Sequence, residues 1–118
     1  MMKTKQFLFV GEERSPRAVQ MGVTWKDKRL CAGHLSQAVE HVGLDWEELT
    51  FKNVFEDDIK DIMSFRGIVV AMGRKVENEL KKHGVDHIFI IHPAARGKIR
   101  IIENYKAHVK EQLDCVLN

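Results

Sequence analysis

Four short apolar runs alternate with amphipathic segments along the chain. They cover residues 6–10, 49–53, 68–72 and 87–91. Runs of this length that are continuously apolar, or that alternate with polar residues, are typical of β-strands. A turn-forming residue ends or follows each run, so we predict four strands.

The segments between these runs carry the sequence signals of α-helices. Ser15-Pro16 joins an N-cap residue to a proline at the first helical position, which predicts a short helix ending at Gly22 and then a polar loop at 23–27. Apolar residues three and four apart predict further helices at 28–41, from 57 to a stop at Gly67, at 74–83 and at 102–116.

A strand followed by a helix, repeated four times, predicts the fold class. We expect an α/β protein, with residues 1–118 forming one three-layer α/β/α domain around a four-stranded parallel sheet with right-handed crossovers. Ligands of such folds bind outside the carboxyl ends of the strands. Those ends are predicted at residues 11–13, 53–55, 72–74 and 92–93.

Composition narrows the class of protein further. A chain of 118 residues has room for one domain, and no apolar run approaches the roughly 20 residues of a membrane span. The N-terminal residues pass directly into an apolar run without a signal-peptide cleavage site. Cys31 and Cys115 are too few for a disulfide framework or a four-cysteine metal site. We therefore expect a cytoplasmic protein without a membrane partner.

The positive charge is modest overall but unevenly placed. The net charge is +2 and the pI about 8.6, short of proteins that bind DNA mainly through charge. About half of the lysines and arginines nevertheless follow strands one, three and four: Arg14, Arg17, Lys26, Lys28, Arg29, Arg74, Lys75, Arg96, Lys98 and Arg100. They are either solvated surface cations or contacts for an anionic partner such as a nucleotide or a DNA backbone.

Two strand-end features and one loop residue are candidates for chemistry. Glu12 and Glu13 directly follow a buried strand, where a carboxylate can activate water, form an ion pair with Arg14 or Arg17, or cap the following helix. His92 ends the fourth strand, and Pro93 fixes the turn after it, so the ring is either a structural hydrogen-bonding group or directed into the crevice. Trp25 is either a cover over the core or a stacking surface for a base.

Metal chemistry is not expected. The histidines occur in separate pairs, which supply too few ligands for a metal site, and no cluster of carboxylates accompanies them. Gly73-Arg74-Lys75 lacks the spacing of a phosphate-binding P-loop. We predict neither a metal nor a cofactor.

Five segments, in order, resemble the uracil-DNA glycosylase superfamily, and especially its bacterial iron–sulfur-type branch, over nearly the whole chain. They are FLFVGEERSP, GVTWKDKRLCAGHL, LTFKNVF, GIVVAMGRKVENEL and HIFIIHPAARGKIR. The cluster-binding cysteines of that branch are missing, so the resemblance implies no iron–sulfur cofactor.

The resemblance also implies roles for particular residues. Glu12 would activate water, with Glu13 left open because the turn reads Glu-Glu-Arg-Ser. Trp25 would stack on a flipped pyrimidine, Asn53 would read its amide edge, and His92 would bind the carbonyl that gains charge. Contacts to phosphate or DNA would come from Arg14, Ser15, Arg17, Arg74, Lys75, Arg96, Lys98 and Arg100.

Two functions follow from these observations. The first is a small DNA glycosylase that flips and excises uracil or a modified pyrimidine from single-stranded or duplex DNA. The second, suggested by the short chain and the unusual turn, is a non-catalytic module that binds a nucleotide, a base or single-stranded nucleic acid in the same pocket. No sequence feature specifies an oligomeric state.

Overall fold

A four-stranded parallel sheet forms the centre of the protein. The computed structural model describes residues 5–117, so residues 1–4 and Asn118, which belong to the predicted domain, lie outside the described residues. The strands are β1 (Phe7–Gly11), β2 (Thr50–Asn53), β3 (Ile68–Met72) and β4 (Ile88–Ile90), in the spatial order β2-β1-β3-β4. All three neighbouring pairs are parallel. The predicted four-stranded parallel sheet is confirmed.

Helices cover both faces of the sheet. They are α1 (Pro16–Met21), α2 (Cys31–His41), α3 (Ile59–Met63), α4 (Arg74–Lys82) and α5 (Ile102–Leu117). Three short 3-10 turns lie at Trp25–Asp27, Trp46–Glu48 and Lys98–Arg100. This arrangement is the predicted three-layer α/β/α fold.

Side-chain alternation along β1 separates two apolar cores. Phe7 and Phe9 pack in the core that contains α2 and α5, whereas Leu8 and Val10 pack against α3 and α4. Successive strand residues point to opposite faces, so a strand that is covered on both sides must be apolar at every position. All five residues of β1 are buried, which explains the continuous run in the sequence.

The strand order places a crevice between β1 and β3. The chain leaves β1 towards one edge of the sheet and leaves β3 towards the other edge. In open parallel sheets such a reversal opens a crevice at the carboxyl ends of the two strands, where ligands bind. The segment that follows Gly11 borders the candidate site.

The segment before α2 differs from the sequence prediction. The helix predicted from residue 28 begins at Cys31, because Lys28 and Leu30 have positive φ angles of 56° and 57°, which no helix contains. The predicted polar loop at 23–27 contains a 3-10 turn, in which the Asp27 carboxylate accepts a hydrogen bond from the Thr24 amide at 2.7 Å. This turn fixes the backbone that carries Trp25.

No helix within residues 5–117 is long and apolar enough to cross a membrane.

Candidate functional site

Two adjoining cavities lie at the carboxyl end of β1. The first, about 280 Å³ and called here the His92 cavity, is lined among others by Glu13, Arg14, Arg17, Trp25, Arg29 and His92. The second, about 580 Å³ and called the Asn53 cavity, is lined among others by Arg14, Thr24, Trp25, Phe51, Asn53 and Glu56. Trp25 lines both cavities, so its indole forms a wall that they share.

His92 is held as a neutral ring with one available donor. Its Nδ1 accepts a hydrogen bond from the Ala94 amide at 3.0 Å, so the neutral ring carries its proton on Nε2. Burial lowers the pKa of His92, and the charge of Glu12 opposes that shift only partly. The ring therefore stays neutral near pH 7. The Ala94 bond also makes His92 part of the turn, as the structural interpretation predicts, and the functional interpretation stays a prediction.

Both candidate carboxylates lie on the His92 side of the site. Glu12, Glu13 and His92 line a common open groove of about 660 Å³ that adjoins the cavity. The Oε1 of Glu12 is 4.0 Å from Nζ of Lys75, and its charge acts on His92. In the described chain the glutamates adopt neither alternative role, an ion pair with Arg14 or Arg17 or the cap of the next helix. Arg14 pairs with Glu56, and Ser15 caps α1. The choice between Glu12 and Glu13 stays open.

Trp25 and Asn53 bind each other. The indole Nε1 of Trp25 donates to Asn53 Oδ1 at 2.9 Å, and the ring stacks on Phe51 with centroids 5.9 Å apart and planes 13° apart. The Nδ2 of Asn53 donates to Glu56 Oε1 at 2.9 Å, and Asn53 is only 8% exposed. Both polar atoms of the predicted base-reading amide therefore have protein partners, and Asn53 does not line the His92 cavity.

Gly11 makes this contact possible. A Cβ placed on Gly11 would lie 2.8 Å from both Asn53 Oδ1 and Cζ2 of Trp25. The absence of a side chain at the end of β1 thus leaves space for the indole and the amide to meet. In the sequence, Gly11 indicated only the end of a strand.

Glu56 is a further site residue that the sequence did not indicate. Its carboxylate accepts from the Arg14 amide at 2.6 Å and from Arg14 Nε at 3.3 Å. Burial alone would raise the pKa of Glu56, but the hydrogen bonds from Arg14 and Asn53 lower it overall. Glu56 is therefore an anion that joins Arg14 to Asn53. The one sequence feature that could have indicated Glu56 is its position three residues after Asn53.

The predicted phosphate contacts divide into two groups. Arg14, Ser15 and Arg17 line the His92 cavity together with Arg29, and Ser15 also caps α1 by accepting from the Ala18 amide at 3.1 Å. Lys75 lies beside Glu12. The four cavity-lining side chains can face an anionic ligand, whereas Lys75 lines neither cavity in the described chain.

The other predicted cations lie elsewhere. Arg74 is bound to Glu77 at 2.6 Å and lies over the Phe89 ring at 4.2 Å, so it belongs to the surface of α4. Arg96 and Lys98 are exposed in the segment after β4. Burial lowers the pKa of His34 and the charge of Arg100 lowers it further, which places Arg100 near α2. Arg74, Arg96, Lys98 and Arg100 line neither cavity in the described chain.

The cysteines and possible metal ligands are dispersed. Within residues 5–117, no three His, Cys, Asp or Glu side chains come together as metal ligands. Cys31 lines the His92 cavity, and burial raises the pKa of its thiol, which makes it a poor nucleophile near pH 7.

Comparisons of the chain with models of known families, with curated proteins and with solved structures found no match. The resemblance to uracil-DNA glycosylases therefore stays a prediction, and the functional argument rests on the geometry of the site.

Proposed function

We propose that the protein binds a nucleobase of DNA in the His92 cavity and cleaves its N-glycosidic bond, with uracil or another altered pyrimidine as the substrate. The observation that carries this proposal is the state of His92. The ring is neutral, its Nδ1 is occupied, and its Nε2–H remains as a donor at a cavity edge that also bears carboxylates.

These groups match the charges that develop in the reaction. When the bond between C1′ of the sugar and the base nitrogen breaks, the electron pair stays on the base and its carbonyl oxygen becomes negative. The His92 Nε2–H would donate to that oxygen, and a preorganised donor of this kind lowers a barrier by about 3 kcal/mol. Water adds to C1′, and Glu12 or Glu13 would accept the proton that this water loses.

The walls of the cavity suit a planar base. Phe51 covers one face of the Trp25 indole, and the remaining surface of the ring forms part of the wall of the His92 cavity. Stacking of a base on an aromatic side chain contributes about 1–3 kcal/mol. The exposed Arg17 and Arg29 line the same cavity and would contact the phosphates next to a flipped nucleotide.

A non-catalytic receptor for a base or nucleotide is the second candidate function. The observation that favours it is the engagement of the Asn53 amide, which leaves no predicted reader for the base in the His92 cavity. A receptor would use the same aromatic wall and the same arginines without bond cleavage.

The experiment that separates these functions is a single-turnover assay. Labelled single-stranded and duplex oligonucleotides with uracil or other modified pyrimidines are incubated with excess protein and then cleaved with alkali. His92→Ala should lower the cleavage rate by about a hundredfold or more with little change in DNA affinity. His83→Ala is the matched control, because the His83 side chain is exposed at the end of α4, lies 3.7 Å from Glu79 and does not line the His92 cavity.

Two outcomes would contradict the proposal. If the parent protein cleaves none of the substrates, the enzyme function is wrong. If, in addition, oligonucleotides bind and His92→Ala abolishes that binding, the site is a receptor.

A further inference from the structure

A continuous chain of hydrogen bonds joins the Trp25 indole to three other residues. Arg14 donates twice to Glu56, Glu56 accepts from Asn53 Nδ2, and Asn53 Oδ1 accepts from Trp25 Nε1. The backbone amide of Asn53 donates to Asp57 Oδ2 at 2.7 Å, which fixes the residue from a third side. Every polar atom of the Asn53 side chain is thus used inside the protein.

The two hydrogen-bond partners of the Asn53 side chain, the Trp25 indole and the Glu56 carboxylate, determine how its amide is oriented. An indole N–H can only donate a hydrogen bond, and a carboxylate can only accept one. The amide must therefore present Oδ1 to Trp25 and Nδ2 to Glu56, since the reverse orientation would oppose two donors at one end and two acceptors at the other. Glu56 fixes the amide, and the amide in turn fixes the indole.

We infer that Asn53 and Glu56 are positioning residues, which hold the Trp25 indole as the wall of the His92 cavity, and that Asn53 does not read the base. This inference deepens the proposed function and rests on it for the identity of the ligand. A base could reach the Asn53 amide only after the indole had left it, and the buried amide would have to exchange a bond of 2.9 Å that is already formed.

Arg14 extends this chain towards the ligand. It lines both cavities and bonds to Glu56 through its backbone amide and its guanidinium. A phosphate bound at Arg14 would therefore act on the same carboxylate that orients Asn53. Phosphate contact and placement of the indole are coupled through Glu56.

The test first replaces the Asn53 amide with a carboxylate. It then places the lost hydrogen-bond donor on residue 56 instead. Asn53→Asp places two carboxylates against each other where Nδ2 now donates to Glu56. Glu56→Gln alone keeps an acceptor for Asn53 and is the matched control. In the double variant Asn53→Asp/Glu56→Gln, the glutamine Nε2 takes the place of Oε1 and donates to the new carboxylate, which can still accept from Trp25. The exposed Arg14 amide, which donates to the same Oε1 in the parent, then turns to solvent.

The first measurement is hydrogen exchange of the indole N–H groups by NMR in the free protein. The chain has two tryptophans, and Trp46, which donates to the Lys26 carbonyl, is the internal control. We expect Asn53→Asp to accelerate exchange at Trp25 at least tenfold, and the double variant to return it to within threefold of the parent. Unchanged exchange in Asn53→Asp, or no recovery in the double variant, would overturn the inference.

The second measurement is the affinity of the same proteins for uracil- and cytosine-containing oligonucleotides. A positioning role predicts that Asn53→Asp weakens both to the same extent and that the double variant restores both. A reading role predicts a changed ratio of the two affinities in every variant with aspartate at position 53, and that result would refute the inference. The double variant decides the matter alone if Asn53→Asp does not fold.

The failures of the two proposals are distinguishable. If no oligonucleotide binds to any of the proteins, the proposed function is wrong, and the positioning of Trp25 is decided by indole exchange alone.

Discussion

The substitution Gly11→Ala tests the geometry of the site with a single methyl group. Gly11 ends β1, and its φ angle lies outside the left-handed region, so alanine is compatible with the backbone. At such a position Gly→Ala ordinarily stabilises a protein by about 0.4–1 kcal/mol, because the unfolded chain loses conformational freedom. We expect the opposite sign here.

The magnitude follows from the distances around Gly11. The new Cβ would lie 2.8 Å from Trp25 Cζ2 and 2.8 Å from Asn53 Oδ1, and ordinary contacts begin at 3.4 Å. The rigid indole must therefore move by more than half an ångström. Overpacking of this kind costs about 1–3 kcal/mol, and loss of the hydrogen bond between Trp25 and Asn53 adds about 0.5–1.5 kcal/mol. After the ordinary gain of about 0.4–1 kcal/mol is subtracted, the expected net destabilisation is about 0.5–4 kcal/mol.

Urea unfolding at pH 7, followed by far-UV circular dichroism, measures this change. Gly11→Ala is compared in the parent and in a Trp25→Ala background, where the contact with the indole is removed and only the one with Asn53 Oδ1 remains. The penalty should fall by at least about 1 kcal/mol in that background, since residues in contact couple by this amount. A neutral or stabilising Gly11→Ala, or a penalty that Trp25→Ala leaves unchanged, would refute the geometry on which the site is built.

Two further predictions concern the stability of the scaffold. Hydrogen bonding from His87 lowers the pKa of the buried Glu77 carboxyl group. The carboxylate therefore stabilises the fold above the unfolded-state pKa of about 4.3. This stabilisation is lost as the pH falls through the lower pKa of the folded state. Glu77→Ala should therefore cost about 1.5–3 kcal/mol in urea unfolding at pH 7 and less at pH 3, with Glu79→Ala costing under about 1 kcal/mol; equal losses at both pH values would contradict this. Tyr105→Phe should cost about 1–3 kcal/mol in the same assay, because the buried hydroxyl donates to the Ile91 carbonyl at 2.7 Å, and a cost near zero would exclude that bond.

The sheet could be predicted because its sequence signal is local. Strands buried on both faces are apolar at every position, and β1 shows this pattern directly. The start of α2 could not be placed in the same way, since Lys28 and Leu30 adopt left-handed φ angles that their side chains do not favour. The packing of the folded chain imposes that conformation, and no local pattern reports it.

The features of the candidate site that depend only on the sheet topology could be predicted from the sequence. Parallel strands bring their carboxyl ends to one edge, so the proximity of Glu12 and His92 follows from their positions after β1 and β4. The partner of Asn53 does not follow from position. Trp25 lies 28 residues before it, and their bond depends on the side-chain space that Gly11 leaves.

The order of the strands explains why the indole occupies the centre of the site. Asn53 ends β2 and His92 follows β4, and these strands are the opposite edges of the sheet. Neighbouring strands are about 4.8 Å apart, so the two backbones start about 14 Å from each other. The Trp25 ring spans this gap: it bonds to Asn53 on one side, and its centroid lies 6.2 Å from that of the His92 ring on the other. Under the proposed function, a change at Asn53 would reach a base beside His92 by moving the indole.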